Sequence, residues 1–294
     1  MTLIEVLIAA VISVMVLGVV LAMTMSSRQI SNVDSLRTDL NQNLRAGMDL
    51  IGTDIRISGE RLGTRSGSQV TAIEVIGGSE LVLRRNLVDA VLPVCADDQN
   101  QFATGTSILV ASTDADFLLA NPRCQVIDNE VPAGWPDNVT AWRNLRLANG
   151  GSMRAYLFTP AGGGQGEFFT YDGETAVPAA IQRNATAWAN TYDIADGVRL
   201  YLLEERRYRL VGNVLEVIVN GNDTAPLRLI NDVSDFQVRA VMRNGDVRTD
   251  LGSAQSWTNV AAIEISISGA VTRQRTDVER TLTSRFFPRN VLSN

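Results

Sequence analysis

The sequence predicts an α+β protein. One long N-terminal α-helix, apolar in its first half and amphipathic in its second, packs on a globular head rich in antiparallel β-sheet. Three observations lead there. Val6 to Met23 is an apolar run broken only by Ser13. Beyond Arg28 the apolar residues recur at helical spacing as far as Ile55. From residue 198 onward, short segments alternate polar and apolar residues between turn signals.

The apolar run comes first in the chain. At about 1.5 Å per residue, residues 1–25 span roughly 36 Å, enough to cross the hydrocarbon of a bilayer. No Lys or Arg precedes the run, so the basic start of a secretory signal is missing and a membrane-spanning helix is the expected state. Glu5 is the anomaly within it. A carboxylate near the end of a spanning helix costs on the order of 2–3 kcal/mol if buried unpaired. Two readings stand at this point: Glu5 reaches the headgroups, or it meets the α-amine of Met1 on a neighbouring copy of the chain.

Residues 26–58 continue the helix. Ile30, Val33, Leu36, Leu40, Leu44, Met48, Ile51 and Ile55 form one stripe, with Arg37, Asp39, Arg45, Asp49, Asp54 and Arg56 on the other faces. The spacing drifts towards fours more than heptads allow, which favours packing against a head over a coiled coil. Ser58-Gly59 offers a stop, and Gly63 to Ser68 reads as a loop. Gly18 is the one weak point in the span, costing about 1 kcal/mol relative to Ala.

The head is expected over 59–294. Val70 to Ile76 and Glu80 to Arg85 flank Gly77-Gly78 as a hairpin, and Ser107 to Ala111 is a short strand. The stretch from about 95 to 195 is rich in Asp, Asn, Pro and Gly, and reads as long surface loops with few regular elements. Regularity returns in Val198–Leu203, Arg206–Val211, Val214–Val219, Leu227–Ile230, Ser234–Met242 and Val260–Val271. The second and third of these are joined at Gly212-Asn213. Ile263, Ile265 and Ile267 share one face, which should pack on the helix stripe.

Composition narrows the chemistry. The chain has 294 residues, and all 26 of its basic residues are Arg, with neither Lys nor His present. A Walker lysine, a pyridoxal Schiff base, a Ser–His–Asp triad and a His-ligated zinc are therefore excluded. A formal charge of −6 and a pI near 4.9 argue against a dedicated nucleic-acid surface. The run Arg206-Arg207-Tyr208-Arg209 suits either phosphate contact or a solvated sheet face. Asp97, Asp98, Asp114 and Asp116 lack an EF-hand pattern, and Gly162 to Gly166 lacks the context of a phosphate loop. Asn138, Asn184 and Asn222 begin glycosylation-type triplets. Trp135, Trp142, Trp188 and Trp257 serve either as core anchors or as adhesive surface. No catalytic residue, cofactor or metal-ligand set is expected.

Met1-Thr2-Leu3-Ile4-Glu5-Val6-Leu7-Ile8-Ala9-Ala10 resembles the mature N-terminus of type IV pilins. The resemblance implies a chain whose leader has been removed by prepilin peptidase and whose Met1 amine is then methylated. It also implies that Glu5 pairs with the Met1 amine of an adjacent subunit. Leu3, Ile4, Val6, Leu7, Ile8, Val11, Ile12 and Gly18 would then line the filament-core helix. Ala22 departs from the family, since many major pilins carry Pro near there. Leu229 to Arg239, with Val233, Asp235, Phe236, Gln237 and Val238, resembles a strand of PilW-type minor pilins. Arg280 to Asn290 is similar to their last strand, and Leu50 to Ser58 to their helix end. The resemblance touches the first 60 residues and roughly the last 100.

It implies a type IV pilin-like fold and a non-enzymatic filament subunit. The subunit would be held in the bacterial inner membrane by one span before joining a cell-surface filament. Partners would be other pilin subunits, the prepilin peptidase and the pilus assembly platform, with DNA or surface ligands left open. A minor pseudopilin of type II secretion and a large major pilin are the neighbouring readings. A membrane-anchored periplasmic adhesin or enzyme is the reading from another class. Because such a head faces an oxidising space, Cys95 and Cys124 are expected to form a disulfide, the other reading being two buried thiols.

Overall fold

The computed structural model describes residues 2–62, 70–95, 105–111, 138–160, 164–176, 179–184, 187–252, 257–273 and 276–291. Its first element is a single helix, α1 (Leu3–Ile57), of 55 residues. That is about 82 Å of unbroken helix. No proline interrupts it, and its end is built by specific groups. Ser58 N–H still bonds Asp54 O, and Gly59 turns the chain with φ +78°. Asn290 Nδ2 donates to the terminal carbonyls of Ile57 and Ser58, at 3.2 and 3.0 Å.

The helix stripe packs on two antiparallel sheets. One contains β1 (Ile73–Ile76), β2 (Glu80–Asn86), β9 (Leu203–Val211), β10 (Val214–Val219) and β11 (Leu227–Asn231), in that spatial order. The other contains β12 (Val233–Met242), β13 (Val247–Arg248), β14 (Val260–Arg273) and β15 (Thr276–Phe286), in the order β13-β12-β14-β15. Leu40, Leu44, Met48, Ile51 and Ile55 are buried against Phe236, Val238, Ile263, Ile265 and Ile267 of the second sheet and Leu81, Tyr208 and Leu215 of the first. The alternation read from Ile263 to Ile267 thus puts that face in the core. Both expected hairpins are present. Gly77 and Gly78, with φ of +56° and +66°, close β1–β2, and Gly212, at +61°, closes β9–β10.

The region expected to be loops is different. Between β2 and β9 the described residues include β3 (Leu92–Pro93), β4 (Ser107–Leu109), a helix α2 (Asn138–Ala148), β5 (Met153–Thr159), β6 (Gln165–Ala176), β7 (Ala179–Arg183) and β8 (Arg199–Tyr201). The six strands form one sheet in the order β3-β8-β5-β6-β7-β4. Its two edges then meet: Val94 bridges Val110, Cys95 N–H bonds Leu109 O, and Ala111 N–H bonds Pro93 O. The sheet is therefore a small closed antiparallel barrel, which removes its own edges. It has its own core of Leu92, Ile108, Leu157, Phe169, Tyr171 and Leu200, with Trp142 of α2 as its largest buried side chain.

This barrel is inserted between two strands that pair with each other, β2 and β9. Where the chain leaves and rejoins the body, Leu87 N–H bonds Leu202 O. The segment expected as one strand, Val198–Leu203, is accordingly divided at Leu202 between barrel and body. The barrel docks by an outer aromatic face. Tyr156 packs on Phe168 and Phe158 on Tyr201, with ring centroids 4.8 and 6.3 Å apart.

Candidate anchoring and assembly surface

The helix divides sharply at about residue 33. From Leu3 to Ile30 the described large apolar side chains are exposed, and only from Val33 and Leu36 does the stripe begin to touch the head. Roughly 45 Å of helix therefore extends clear of the body. Its mean hydropathy reaches 2.2 over an eighteen-residue window, none of it buried. The helix is long and apolar enough to cross a membrane. Of the predicted core-lining residues, Leu3, Ile4, Leu7, Ile8, Val11 and Ile12 are exposed by 49–83%. Gly18 has no atom near the place a Cβ would take. An apolar surface of that extent needs lipid or other protein to cover it. Met1 lies outside the described residues. Glu5 and Val6 fall in the first turns of α1, and their side chains also lie outside them.

At the other end the helix is fastened to the head by charge. Asp54 is buried, and both its oxygens accept from Arg206 Nη1 at 2.9 Å. Tyr208 Oη donates to the same carboxylate. Arg206 also reaches Glu204 at 2.9 Å, and Glu204 in turn accepts from Arg85. Burial disfavours the charge on Arg206, but Asp54 and Glu204 outweigh it and hold the guanidinium pKa above its ordinary value. Burial, and then the Asp54 carboxylate, push the Tyr208 phenol up. Of the run Arg206–Arg209, Arg206 and Tyr208 thus grip the helix, while Arg209 makes a surface pair with Asp223 at 3.4 Å. Asp54 stood in the sequence as one charge on a solvated face. The mutual spacing of Arg206 and Tyr208 on one strand face was the available signal for a partner.

Close backbone approach completes the joint. A Cβ on Gly47 would run into Ile230, one on Gly52 into the Phe286 ring, and one on Gly269 would come within 2.7 Å of Leu40. These glycines let helix and sheets meet at short range.

The other candidates divide. Trp142 is fully buried and donates Nε1–H to Ala90 O at 2.9 Å, Trp257 is buried against Gly59, and Trp188 lies under the Arg183 guanidinium at 4.1 Å. These three are structural anchors, while Trp135 lies outside the described residues. Asp97, Asp98, Asp114, Asp116, Gly162 and Gly163 lie outside them too. Gly166, read as part of a flexible loop, belongs to strand β6 and packs against Tyr156. Asn222 is exposed in a turn, with Thr224 Oγ1 donating to its side chain at 2.8 Å. Cys95 is disulfide-bonded, and Cys124, the only other cysteine of the chain, lies outside the described residues. No family model, curated protein or solved structure matches the chain.

Proposed function

We propose that the chain is a filament subunit of the type IV pilin kind, most similar to PilW-type minor pilins, which primes assembly or sits near the tip. One observation carries the reading. A single continuous helix joins a bare apolar arm to a head that grips only its second half. Such an arm can rest in a bilayer and later exchange lipid for the arms of neighbouring subunits, because both surroundings cover the same apolar faces. A plain membrane anchor needs no rigid continuation into the head. A subunit whose arm must hold its place in a bundle does need one.

In this reading the subunit waits in the inner membrane after prepilin peptidase has trimmed it, and the assembly platform then draws it into a cell-surface filament. Glu5 sets the register, since a carboxylate in an apolar bundle is stabilised by the Met1 amine of the next subunit. Glu5→Val should leave the head folded while abolishing incorporation into sheared filaments. Normal incorporation would remove the electrostatic register from the proposal. Mass spectrometry of the N-terminal peptide from native membranes should find a methylated Met1. An unmethylated, unprocessed terminus would sink the filament reading and leave a simple anchor.

A further inference from the structure

Where the barrel docks on the body, a cleft of about 270 Å³ opens between the two. Thr71, Glu74 and Arg84 line it from the body, and Tyr156, Phe158 and Gln165 from the barrel. It lies just below the usual range of small-molecule sites, about 300–1,000 Å³, which suits a ligand of one ring.

The polar groups in it are of two kinds. Arg84 is partly used: Nε donates to Glu205 at 2.6 Å, and Nη1 donates to Thr71 O and Glu74 Oε2, both at 2.9 Å. Others have capacity left. Glu74 spends one oxygen on Arg84, and the second has no partner among the described residues. Tyr156 is only 9% exposed, yet its hydroxyl has no partner among the described residues either. A phenol hydroxyl in the wall of a cleft can both donate to and accept from a ligand. Gln165 adds an amide that both donates and accepts.

The charge in the cleft selects among ligands. Of its lining residues only Glu74 and Arg84 are charged, one of each sign and already paired, so the cleft favours neither an anion nor a cation. What remains is a neutral molecule whose groups donate to a carboxylate and exchange hydrogen bonds with a phenol and an amide. The geometry points to a neutral sugar ring as the ligand of this cleft. Its occupancy would couple barrel to body and give the head a recognition role beyond assembly.

The test uses the full chain in lauryldimethylamine oxide micelles, a detergent without sugar, and saturation-transfer NMR with glucose, galactose and N-acetylglucosamine. At least one should give saturable transfer with Kd in the low millimolar range. Tyr156→Phe and Gln165→Ala should each weaken it about threefold to tenfold, and Glu74→Gln about tenfold or more. Three results would overturn the assignment. One is no saturable transfer from any of the three sugars below about 50 mM. Another is transfer unchanged in both Tyr156→Phe and Glu74→Gln. The third is tighter binding of glucuronate or methylammonium than of the neutral sugars.

Discussion

The two halves of α1 share one backbone conformation and have opposite fates. Leu44, Ile51 and Ile55 are fully buried, whereas Val11, Ile12 and Leu17 stand exposed. Helicity in the second half is sustained by tertiary packing on the sheets, as it is for most helices in globular proteins. The first half has no tertiary packing in the monomer, so it draws its stability from surroundings outside the subunit. A mutation in one half should therefore be read in the folding of the head, and one in the other half in membrane retention or assembly.

The sharpest test of that division is Leu44→Ala against Val11→Ala. The first should destabilise the head by about 2–5 kcal/mol, because it leaves a cavity in the core beside Gly269. The second should leave the urea midpoint of the head unchanged in near-ultraviolet circular dichroism. A comparable loss from both would mean that the arm also packs on the head.

Asp54→Ala should cost about 3 kcal/mol in the same titration, since it strands Tyr208 inside. The value sits at the low end for a buried ion pair because the Arg206 side chain is 31% exposed and keeps Glu204. Next comes Gly47→Ala against Gly18→Ala. The first forces Ile230 aside and should destabilise by about 1–3 kcal/mol. The second meets open space and should raise arm helicity slightly, by about 1 kcal/mol of propensity.

Acid should act on body and barrel together, and more gently. Burial pushes the Glu204 carboxyl up, but Arg85 and Arg206 hold it below its ordinary value. Glu174 in the barrel follows the same pattern, held down by Arg146 and Tyr171 against burial. A carboxyl whose pKa is lower when folded adds stability above its unfolded value and loses it as pH falls through the folded one. The melting temperature should therefore be flat near neutrality and fall below about pH 4. Glu204→Gln should flatten part of that fall.

The helix, the stripe and the two glycine hairpins were legible because each follows from neighbours in sequence. Leu40 to Ile55 repeats at helical spacing, and Gly77-Gly78 supplies the positive φ its turn demands. The barrel was not legible. Met153–Thr159 faces a core on one side and a docking surface on the other, so it shows an apolar run, Ala155 to Phe158, without alternation. In the same barrel β3 and β8 are two and three residues long, too short to show any period. The Asp54 grip was hidden for a related reason: its partners lie more than 150 positions away, and charge on a helix usually means solvent.

What the sequence determined by itself is local: where the chain is helical, which half of that helix is apolar throughout, and where it turns. Backbone propensity and hydrophobic period act over a few residues and need nothing else. Only the tertiary structure decided that β2 and β9 meet across an inserted barrel, that Arg206 and Tyr208 hold Asp54, and that a cleft opens at Tyr156. Those outcomes depend on chain closure over long separations. There the fit of surfaces and the pairing of buried charge select one partner among many that local sequence leaves equivalent.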